Sequence, residues 1–162
     1  MDSLKIVELT LDGFRQFGEV IEVRGNGFSV NENRGHRYPQ ASPDNLRTAA
    51  KENISLYQLR ASELPVTIKV MECHPHSTQI FSPINAEQFL TVVTPPGPIP
   101  QMALAKAFVS SKNQGIMYAP GVWHTPLFSL GRDGLFLCHI YEDGSAQDCL
   151  EVEIDPIQVA RV

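Results

Sequence analysis

The amino-acid sequence predicts one all-β domain, built as a sandwich or a barrel with little helix. Short runs rich in Val, Ile, Phe and Thr alternate with turns along the whole chain. The 11 glycines and 12 prolines are spread over the sequence rather than gathered into a linker. A length of 162 residues fits a single domain, which we expect to span residues 1–162. Many short strands separated by Gly/Pro turns are typical of sandwiches and barrels.

Seven segments have the apolar, β-branched character of strands. They are residues 5–9, 19–23, 54–59, 66–73, 88–94, 104–109 and 135–141. Helical signal is weak, so we expect only one or two short helices. The best candidate spans residues 11–17, where Thr10 can cap the first turn and Gly18 can end the helix. Phe14 and Phe17 would share one face of that helix.

Two further segments are predicted to be loops. The proline-rich run over residues 95–100 can be neither a helix nor a central strand, because proline lacks the amide donor that both require. We expect it to be a stiff connection between two strands. Residues 31–53 are polar and poor in pattern, which predicts a long excursion. Long loops often border a functional site, and this one could close over a pocket.

Charge and hydropathy exclude several classes of protein. The net charge is −5 and the basic residues are scattered, which argues against binding to nucleic acid. No stretch approaches the roughly 18 apolar residues of a membrane helix. The first residues lack the basic start and the apolar stretch of a signal peptide, so we expect a cytoplasmic protein. Cys73, Cys138 and Cys149 are widely spaced and odd in number, so no disulfide framework is expected.

The first segment that could carry chemistry contains Glu72, His74 and Gln79. On a strand, Glu72 and His74 point to the same side, because successive side chains alternate. A turn around residues 75–77 leads into a second strand that begins near Gln79. If the two strands fold back on each other, these three side chains can converge. Carboxylate, imidazole and amide oxygen can ligate a divalent metal, and they can also form a metal-free acid–base site.

The second such segment spans residues 115–127. Its Pro120-Gly121 turn reverses the chain and delivers a strand that carries Trp123 and His124. The tight turn before His124 and Pro126 after it restrict the chain, which suits a catalytic or ligating group. The alternative is that Trp123 belongs to the core and His124 is only its polar neighbour.

A third segment, residues 28–38, could supply groups that bind a substrate. Arg34 and Arg37 could each hold a carboxylate through paired hydrogen bonds. Asn31 and Asn33 could recognise a hydroxyl or an amide. The alternative is a solvated loop.

Other familiar catalytic motifs are absent from the sequence. There is no nucleophile elbow, phosphate loop, dinucleotide fingerprint or Cys-x-x-Cys metal knuckle. The best candidate site is therefore the group formed by Glu72, His74, Gln79 and His124.

The two central segments resemble the two motifs of the cupin superfamily. The usual first motif reads H-x-H-x₄-E-x₆-G, and this sequence has Glu72, His74, Gln79 and Ala86 at those positions. The glycine, the turn and the histidine of the second motif correspond to Gly115, Pro120-Gly121 and His124. The resemblance implies a cupin-like double-stranded β-helix barrel.

A closer resemblance is to the ureidoglycolate lyase family. It rests on the runs over residues 74–83 and 115–128, and it extends to residues 17–21 and 31–38. The resemblance implies a homodimer that splits (S)-ureidoglycolate into glyoxylate and urea in allantoin breakdown. It also implies a divalent metal, usually nickel, for which Glu72, His74, Gln79 and His124 would be the ligands.

Cleavage of ureidoglycolate assigns roles to these residues as hypotheses. His124 or His74 would act as the base, with Glu72 orienting that imidazole or sharing the proton. Substrate would be held by a further set of residues. These are Arg37, Asn31, Gln79, Tyr38, Tyr118 and Trp123.

Two other functions stay open at this point. One is a different metal-dependent cupin enzyme, such as an oxygenase or an isomerase. The other is a cupin that binds a small acid without turning it over.

Overall fold

The computed structural model describes residues 3–161. This part of the chain contains fifteen strands and one short α-helix. In chain order they are β1 (Leu4–Glu8), α1 (Leu11–Phe14), β2 (Gly18–Ile21), β3 (Phe28–Val30), β4 (Gly35–Arg37), β5 (Lys51–Leu59), β6 (Ala61–Ser62), β7 (Val66–Cys73), β8 (Gln79–Pro83), β9 (Gln88–Thr94), β10 (Lys106–Val109), β11 (Gly115–Tyr118), β12 (Trp123–His124), β13 (Phe128–Leu130), β14 (Gly134–Glu142) and β15 (Leu150–Ala160). This content confirms the predicted all-β class.

Six of the strands close into a barrel. Their order is β10-β1-β15-β7-β12-β9, and β9 completes the ring by pairing antiparallel with β10. A second sheet of five strands, in the order β2-β11-β8-β14-β5, packs against this barrel. The hairpin β3–β4 forms a small sheet of its own. The arrangement confirms a cupin-like β-barrel.

Strand β9 shows how the core is divided. Its side chains alternate between two faces, and both faces are buried. Leu90 and Val92 pack in the cluster inside the barrel, whereas Phe89 and Val93 pack in the cluster between the barrel and the second sheet. The functional residues described below lie beside this second cluster, so rigid strands carry them.

Most of the predicted elements are confirmed, and two strand predictions match in both bounds, residues 66–73 and 88–94. Thr10 accepts a hydrogen bond from the Gly13 amide as the predicted N-cap. The predicted helix is too long, because α1 ends at Phe14 and the chain then turns, with the Phe17 amide donating to the Phe14 carbonyl. Both phenylalanines are nevertheless buried in the same cluster.

Two boundaries differ from the prediction. The strand expected over residues 104–109 starts at Lys106, because Met102–Leu104 forms a turn of 3₁₀-helix. Residues 31–53 are not one unstructured excursion, since they include β4 and the first residues of β5. The exposed polar side chains of these strands give no hydrophobic alternation by which the sequence could indicate them. Within residues 3–161, no helix is long and apolar enough to span a membrane.

Candidate active site

The candidate site lies where two connections cross from one sheet to the other. β7 belongs to the closed barrel and β8 to the second sheet, so the two strands do not pair with each other. β11 and β12 are divided in the same way. Glu72 and His124 are opposite each other across β7 and β12, and Gln79 is opposite Tyr118 across β8 and β11. The side chains therefore meet between two sheets, rather than along a folded-back hairpin.

The turn before His124 is fixed by main-chain hydrogen bonds. The Val122 amide donates to the Ala119 carbonyl over 3.2 Å, and Gly121 has a φ of 82°. Proline followed by a left-handed glycine is the sequence that a type II turn requires. The Gly121 amide also donates to the His74 carbonyl over 2.9 Å. The two histidine-bearing segments are thus held together by their backbones.

Strand alternation separates the pocket from the core. Trp123 is opposite Cys73, and His124 is opposite Glu72, in the register of β12 and β7. Directly opposed residues share a face of the sheet. Trp123 and Cys73 accordingly pack in a core cluster with Met71, while Glu72 lines the pocket described below and His124 lies 3.4 Å from its carboxylate. The prediction that Glu72 and His74 point to the same side is confirmed.

Four polar side chains converge in this place. His124 Nε2 lies 3.0 Å from Gln79 Oε1 and 3.4 Å from Glu72 Oε1. The ring centroids of His74 and His124 are 5.4 Å apart. One ligand atom each from Glu72, His74 and His124 lies within 4.8 Å of the others. The fold therefore brings together the four residues that the sequence spacing indicated.

The hydrogen bonds leave unshared electron pairs pointing at one another. His74 Nδ1 is 2.7 Å from the Asp148 carbonyl, and His124 Nδ1 is 3.0 Å from the Val122 carbonyl. A carbonyl oxygen only accepts, so each Nδ1 carries a hydrogen and donates it. His74 Nε2 is buried and has no hydrogen-bond partner among residues 3–161. These nitrogens, with the Glu72 and Gln79 oxygens, form a donor set that fits a divalent cation.

Burial and charge shift the titration of two of these groups. Burial lowers the pKa of His74, and the neighbouring His124 lowers it further. Burial alone would raise the pKa of Glu72, but the hydrogen bond and charge of His124 and the charge of His74 outweigh it and lower the pKa. Near neutral pH the pocket therefore holds a carboxylate beside a neutral His74.

The lowered pKa of His74 predicts a loss of stability in mild acid. The unfolded chain takes up the His74 proton as the pH falls through about 6.5, whereas the folded protein resists it. The free energy of unfolding of metal-free protein should thus decline from pH 8 to pH 5, and more steeply in wild type than in His74→Gln. Glu72 adds nothing in this window, because its lowered pKa lies beneath it. Urea titrations at each pH measure the slopes, with exposed His36→Gln as control. Equal slopes in wild type and His74→Gln would contradict the prediction.

A pocket of about 280 Å³ opens onto three of these side chains, and His124 lies behind them in contact with Glu72 and Gln79. Glu72, His74 and Gln79 line it together with residues from β5, β8 and β14. Among its described lining residues are two carboxylates, Glu72 and Glu142, and no lysine or arginine. An anionic ligand in this pocket therefore needs a positive charge that the lining side chains do not supply.

Tyr57 and Cys149 are among the lining residues that the sequence did not mark as part of the site. Tyr57 reaches the pocket from β5, and burial raises the pKa of its phenol to about 12, so it stays protonated and can donate a hydrogen bond. Cys149 also lines the pocket, where burial and the nearby Glu72 raise the pKa of its thiol to about 11. It is a poor nucleophile, because the thiolate is the reactive form. Alternation along β5, which turns Ser55, Tyr57 and Leu59 to one side, was the available signal for Tyr57.

Tyr118 and Trp123 lie outside the pocket lining, next to His124. The Tyr118 ring stacks on the His124 ring, with centroids 4.0 Å apart and an angle of 11° between the planes. Its hydroxyl is 2.7 Å from Thr91 Oγ1 and is fully buried. The Trp123 indole donates to the Gly97 carbonyl over 2.9 Å. Neither side chain lines the pocket, so the structure does not bring them to the substrate position expected from the sequence.

The third predicted segment also lies apart from the pocket lining. Asn31 is in the turn of the β3–β4 hairpin with a φ of 53°, a left-handed conformation that asparagine tolerates. Arg37 is exposed on β4, and its guanidinium lies 5.7 Å from the centre of the Phe28 ring. Tyr38 packs over Gly27. The structure therefore does not bring Asn31, Arg37 and Tyr38 together with the histidines.

The fold and the site together define the class of protein. A closed barrel carries two histidines, a glutamate and a glutamine where its crossings meet a second sheet, which is the arrangement of a cupin with a candidate metal or acid–base centre. The profile of the family described as ureidoglycolate lyase matches residues 1–160. The chain belongs to the ureidoglycolate lyase family.

Individual relatives give the same result. The ureidoglycolate lyase of Pseudomonas syringae pv. tomato is 37% identical over 153 residues, which cover 93% of this chain and 89% of the relative. That of Stutzerimonas stutzeri is 35% identical over 173 residues, covering 99% of this chain and 100% of the relative. The similarity thus extends over the whole barrel and includes the candidate site.

Proposed function

We propose that this protein is a lyase that cleaves (S)-ureidoglycolate into glyoxylate and urea, a step in the use of purine nitrogen from allantoin. The proposal is carried by the convergence of Glu72, His74, Gln79 and His124 in one pocket of a chain that belongs to the ureidoglycolate lyase family. The raised pKa of Cys149 agrees with a reaction that needs no covalent nucleophile.

The reaction moves one proton from the hydroxyl oxygen to the ureido nitrogen and breaks the bond between carbon and that nitrogen. The substrate carbon bears a hydroxyl, a carboxylate and a ureido nitrogen. A base removes the hydroxyl proton, the oxygen electrons form the new carbonyl of glyoxylate, and the bond from carbon to nitrogen breaks. The departing nitrogen takes up a proton, so that urea leaves as a neutral molecule. Water and redox equivalents do not enter the balance.

His74 Nε2 and His124 Nε2 are the two candidate bases. Each ring donates from Nδ1 to a backbone carbonyl, which leaves Nε2 of His74 at the pocket and Nε2 of His124 facing Glu72 and Gln79. The Glu72 carboxylate beside His124 would stabilise the imidazolium that forms when this ring takes the proton. Gln79 can hold the hydroxyl or the ureido group, and the protonated Tyr57 phenol can donate to the substrate.

A divalent metal fits the same donor set. Glu72, His74, Gln79 and His124 would hold it, and nickel is the ion that the family resemblance implies. Bound there, the metal would supply Lewis acidity that lowers the pKa of the substrate hydroxyl. The positive charge of the metal would also offset the two carboxylates of the lining. Without it, an anionic substrate would face these carboxylates with no cation among the lining side chains.

Removal of one ligand should show whether the pocket binds metal. We expect metal-stripped wild type to bind Ni²⁺ in calorimetric titration, and Glu72→Gln to bind it more weakly by over about tenfold, because even outer partners of metal ligands contribute that much. Glu63→Gln is the matched control, since this glutamate is exposed, lies between β6 and β7 and does not line the pocket. Equal Ni²⁺ affinity in wild type and Glu72→Gln would contradict the proposed ligand set.

We also propose that Arg37 holds the substrate carboxylate. Its guanidinium contacts the Phe28 ring on the β3–β4 hairpin and does not line the pocket. Direct contact with the substrate would require this hairpin to move. The same holds for Asn31 and Tyr38.

We further propose a homodimer in the cytoplasm. β5 is an edge strand of the second sheet, and its exposed Ile54 and Leu56 offer an apolar surface with unpaired backbone groups. The cytoplasmic location is supported by the three free cysteines, because thiols stay reduced in that compartment. The net charge of −5 argues against nucleic acid as a partner. Light scattering after gel filtration tests the dimer.

An assay with racemic ureidoglycolate tests the function. Purified protein should release glyoxylate faster than the reaction without protein, should leave one enantiomer behind and should consume no oxygen. Oxygen uptake would favour a different cupin enzyme. Tight binding without glyoxylate would favour a cupin that binds a small acid and does not transform it.

A further inference from the structure

Arg47 is the most buried arginine that pairs with carboxylates in residues 3–161, with its side chain 15% exposed. Its Nη1 lies 2.9 Å from Asp143 Oδ2, and its Nη2 lies 2.5 Å from Asp148 Oδ1. By contrast, the side chains in the pair of Arg34 and Glu32 are more than three-quarters exposed. Since exposed pairs contribute little to stability, the coverage of Arg47 calls for a specific reason.

The partner Asp148 closes the turn that precedes β15. Its carboxylate accepts from the Asp143 amide over 3.0 Å and from the Gly144 amide over 2.7 Å. Its own amide donates to the Ser145 carbonyl. The guanidinium of Arg47 therefore binds a turn that is already internally ordered, and it fixes the position of that turn as a unit.

The carbonyl of the same Asp148 accepts the hydrogen of His74 Nδ1 over 2.7 Å. This bond decides which ring nitrogen carries the proton, because the other nitrogen then keeps its electron pair. His74 Nε2, directed at the pocket, is the nitrogen left free among the described residues. If Asp148 moved, neither the tilt of the His74 ring nor its tautomer would be fixed by this hydrogen bond.

The chain around Arg47 is tied equally firmly to the segment that carries His74. The Leu46 amide donates to the His76 carbonyl over 2.8 Å, and the Thr78 amide donates to the Asp44 carbonyl over 3.0 Å. Arg47 thus connects two anchors, the β7–β8 turn after His74 and the turn that supplies the acceptor for its ring.

We propose that Arg47 is a positioning residue for His74, acting through Asp148 to hold the ring with its proton on Nδ1 and Nε2 free for the pocket chemistry. The catalytic part of this inference rests on the proposed lyase function. Arg47 does not line the pocket, so it affects turnover without contacting the substrate.

The test compares wild type with Arg47→Met, Arg47→Lys and the control Arg15→Met, whose side chain is 78% exposed and pairs with Asp12 on α1. Correlation spectra of the ¹⁵N-labelled imidazoles in metal-free protein report which nitrogen of His74 is protonated. Assays with ureidoglycolate give kcat and KM. A lysine places a point charge that cannot bridge two carboxylates as a guanidinium does.

We expect Arg47→Met to lose the single Nδ1-protonated signature of His74 and to lower kcat about 10- to 100-fold with little change in KM, the range seen for outer partners of site histidines. Arg47→Lys should lie between it and wild type, and Arg15→Met should match wild type. If Arg47→Met does not fold, the Lys variant carries the comparison. Unchanged ring signals, or unchanged kcat in an enzyme that turns over, would overturn the proposal. If wild type does not cleave ureidoglycolate, the proposed function fails, and the imidazole spectra alone decide the role of Arg47.

Discussion

His124→Gln should reduce kcat/KM for ureidoglycolate by about 10²- to 10⁴-fold, the usual contribution of a positioned acid–base group. His124 is 1% exposed, stacks on Tyr118 and directs Nε2 at Glu72 and Gln79. Glutamine fills a similar volume, so the core should stay closed. It cannot take up a proton and form a cation, so the proposed base is lost, and an amide oxygen replaces the imidazole nitrogen of the proposed ligand set.

The control for this substitution is His36→Gln, because His36 is exposed on β4 and belongs to no part of the site. Circular dichroism and thermal unfolding show whether His124→Gln has folded. A folded His124→Gln protein that turns over at the wild-type rate would rule out His124 as base and as required ligand. Loss of activity in the His36→Gln control would mean that the assay reports something other than the pocket.

Trp123→Ala should lower the free energy of unfolding by about 3–5 kcal/mol, the cost of emptying the space of a large aromatic residue in a core. Trp123 is 1% exposed and packs with Met71 and Cys73 inside the barrel. Since a domain of this kind is stable by only about 5–15 kcal/mol, much of its stability would be lost. Urea titration followed by circular dichroism measures the change.

Trp123→Phe separates packing from any role in substrate binding. The phenyl ring keeps most of the apolar contacts but leaves the Gly97 carbonyl without its indole donor, which should cost about 1–3 kcal/mol. Turnover per folded molecule should persist, because the indole faces away from the pocket. A stable Trp123→Phe protein without activity would show instead that the indole takes part in the reaction.

Much of the fold was accessible from the sequence because local rules determine it. Alternation and β-branched residues marked residues 66–73 and 88–94 with the correct ends. The same rules failed for residues 31–53, where β4 and the start of β5 expose polar side chains on short or edge strands. The closure of the barrel also depends on the pairing of β1 with β10 and β15, about 100 to 155 positions away, which no local pattern reports.

The site shows the same division. Spacing along β7 predicted that Glu72 and His74 share a face, and Pro120 and Gly121 alone predicted the turn before His124. Alternation could also have separated Trp123 from His124, since neighbouring residues on a strand face opposite sides. The bond from His74 to the Asp148 carbonyl joins residues 74 positions apart, so only the folded chain reveals it.

The most direct test of the central claim, expulsion of intact urea from the carbinol carbon, follows one labelled atom. Ureidoglycolate carrying ¹³C in its ureido carbonyl is mixed with the purified protein, and carbon NMR records where the label goes. We expect the label to appear in urea, in step with glyoxylate and faster than without protein. Label in bicarbonate, which hydrolysis of the ureido group would produce, or label that stays in the substrate would contradict it.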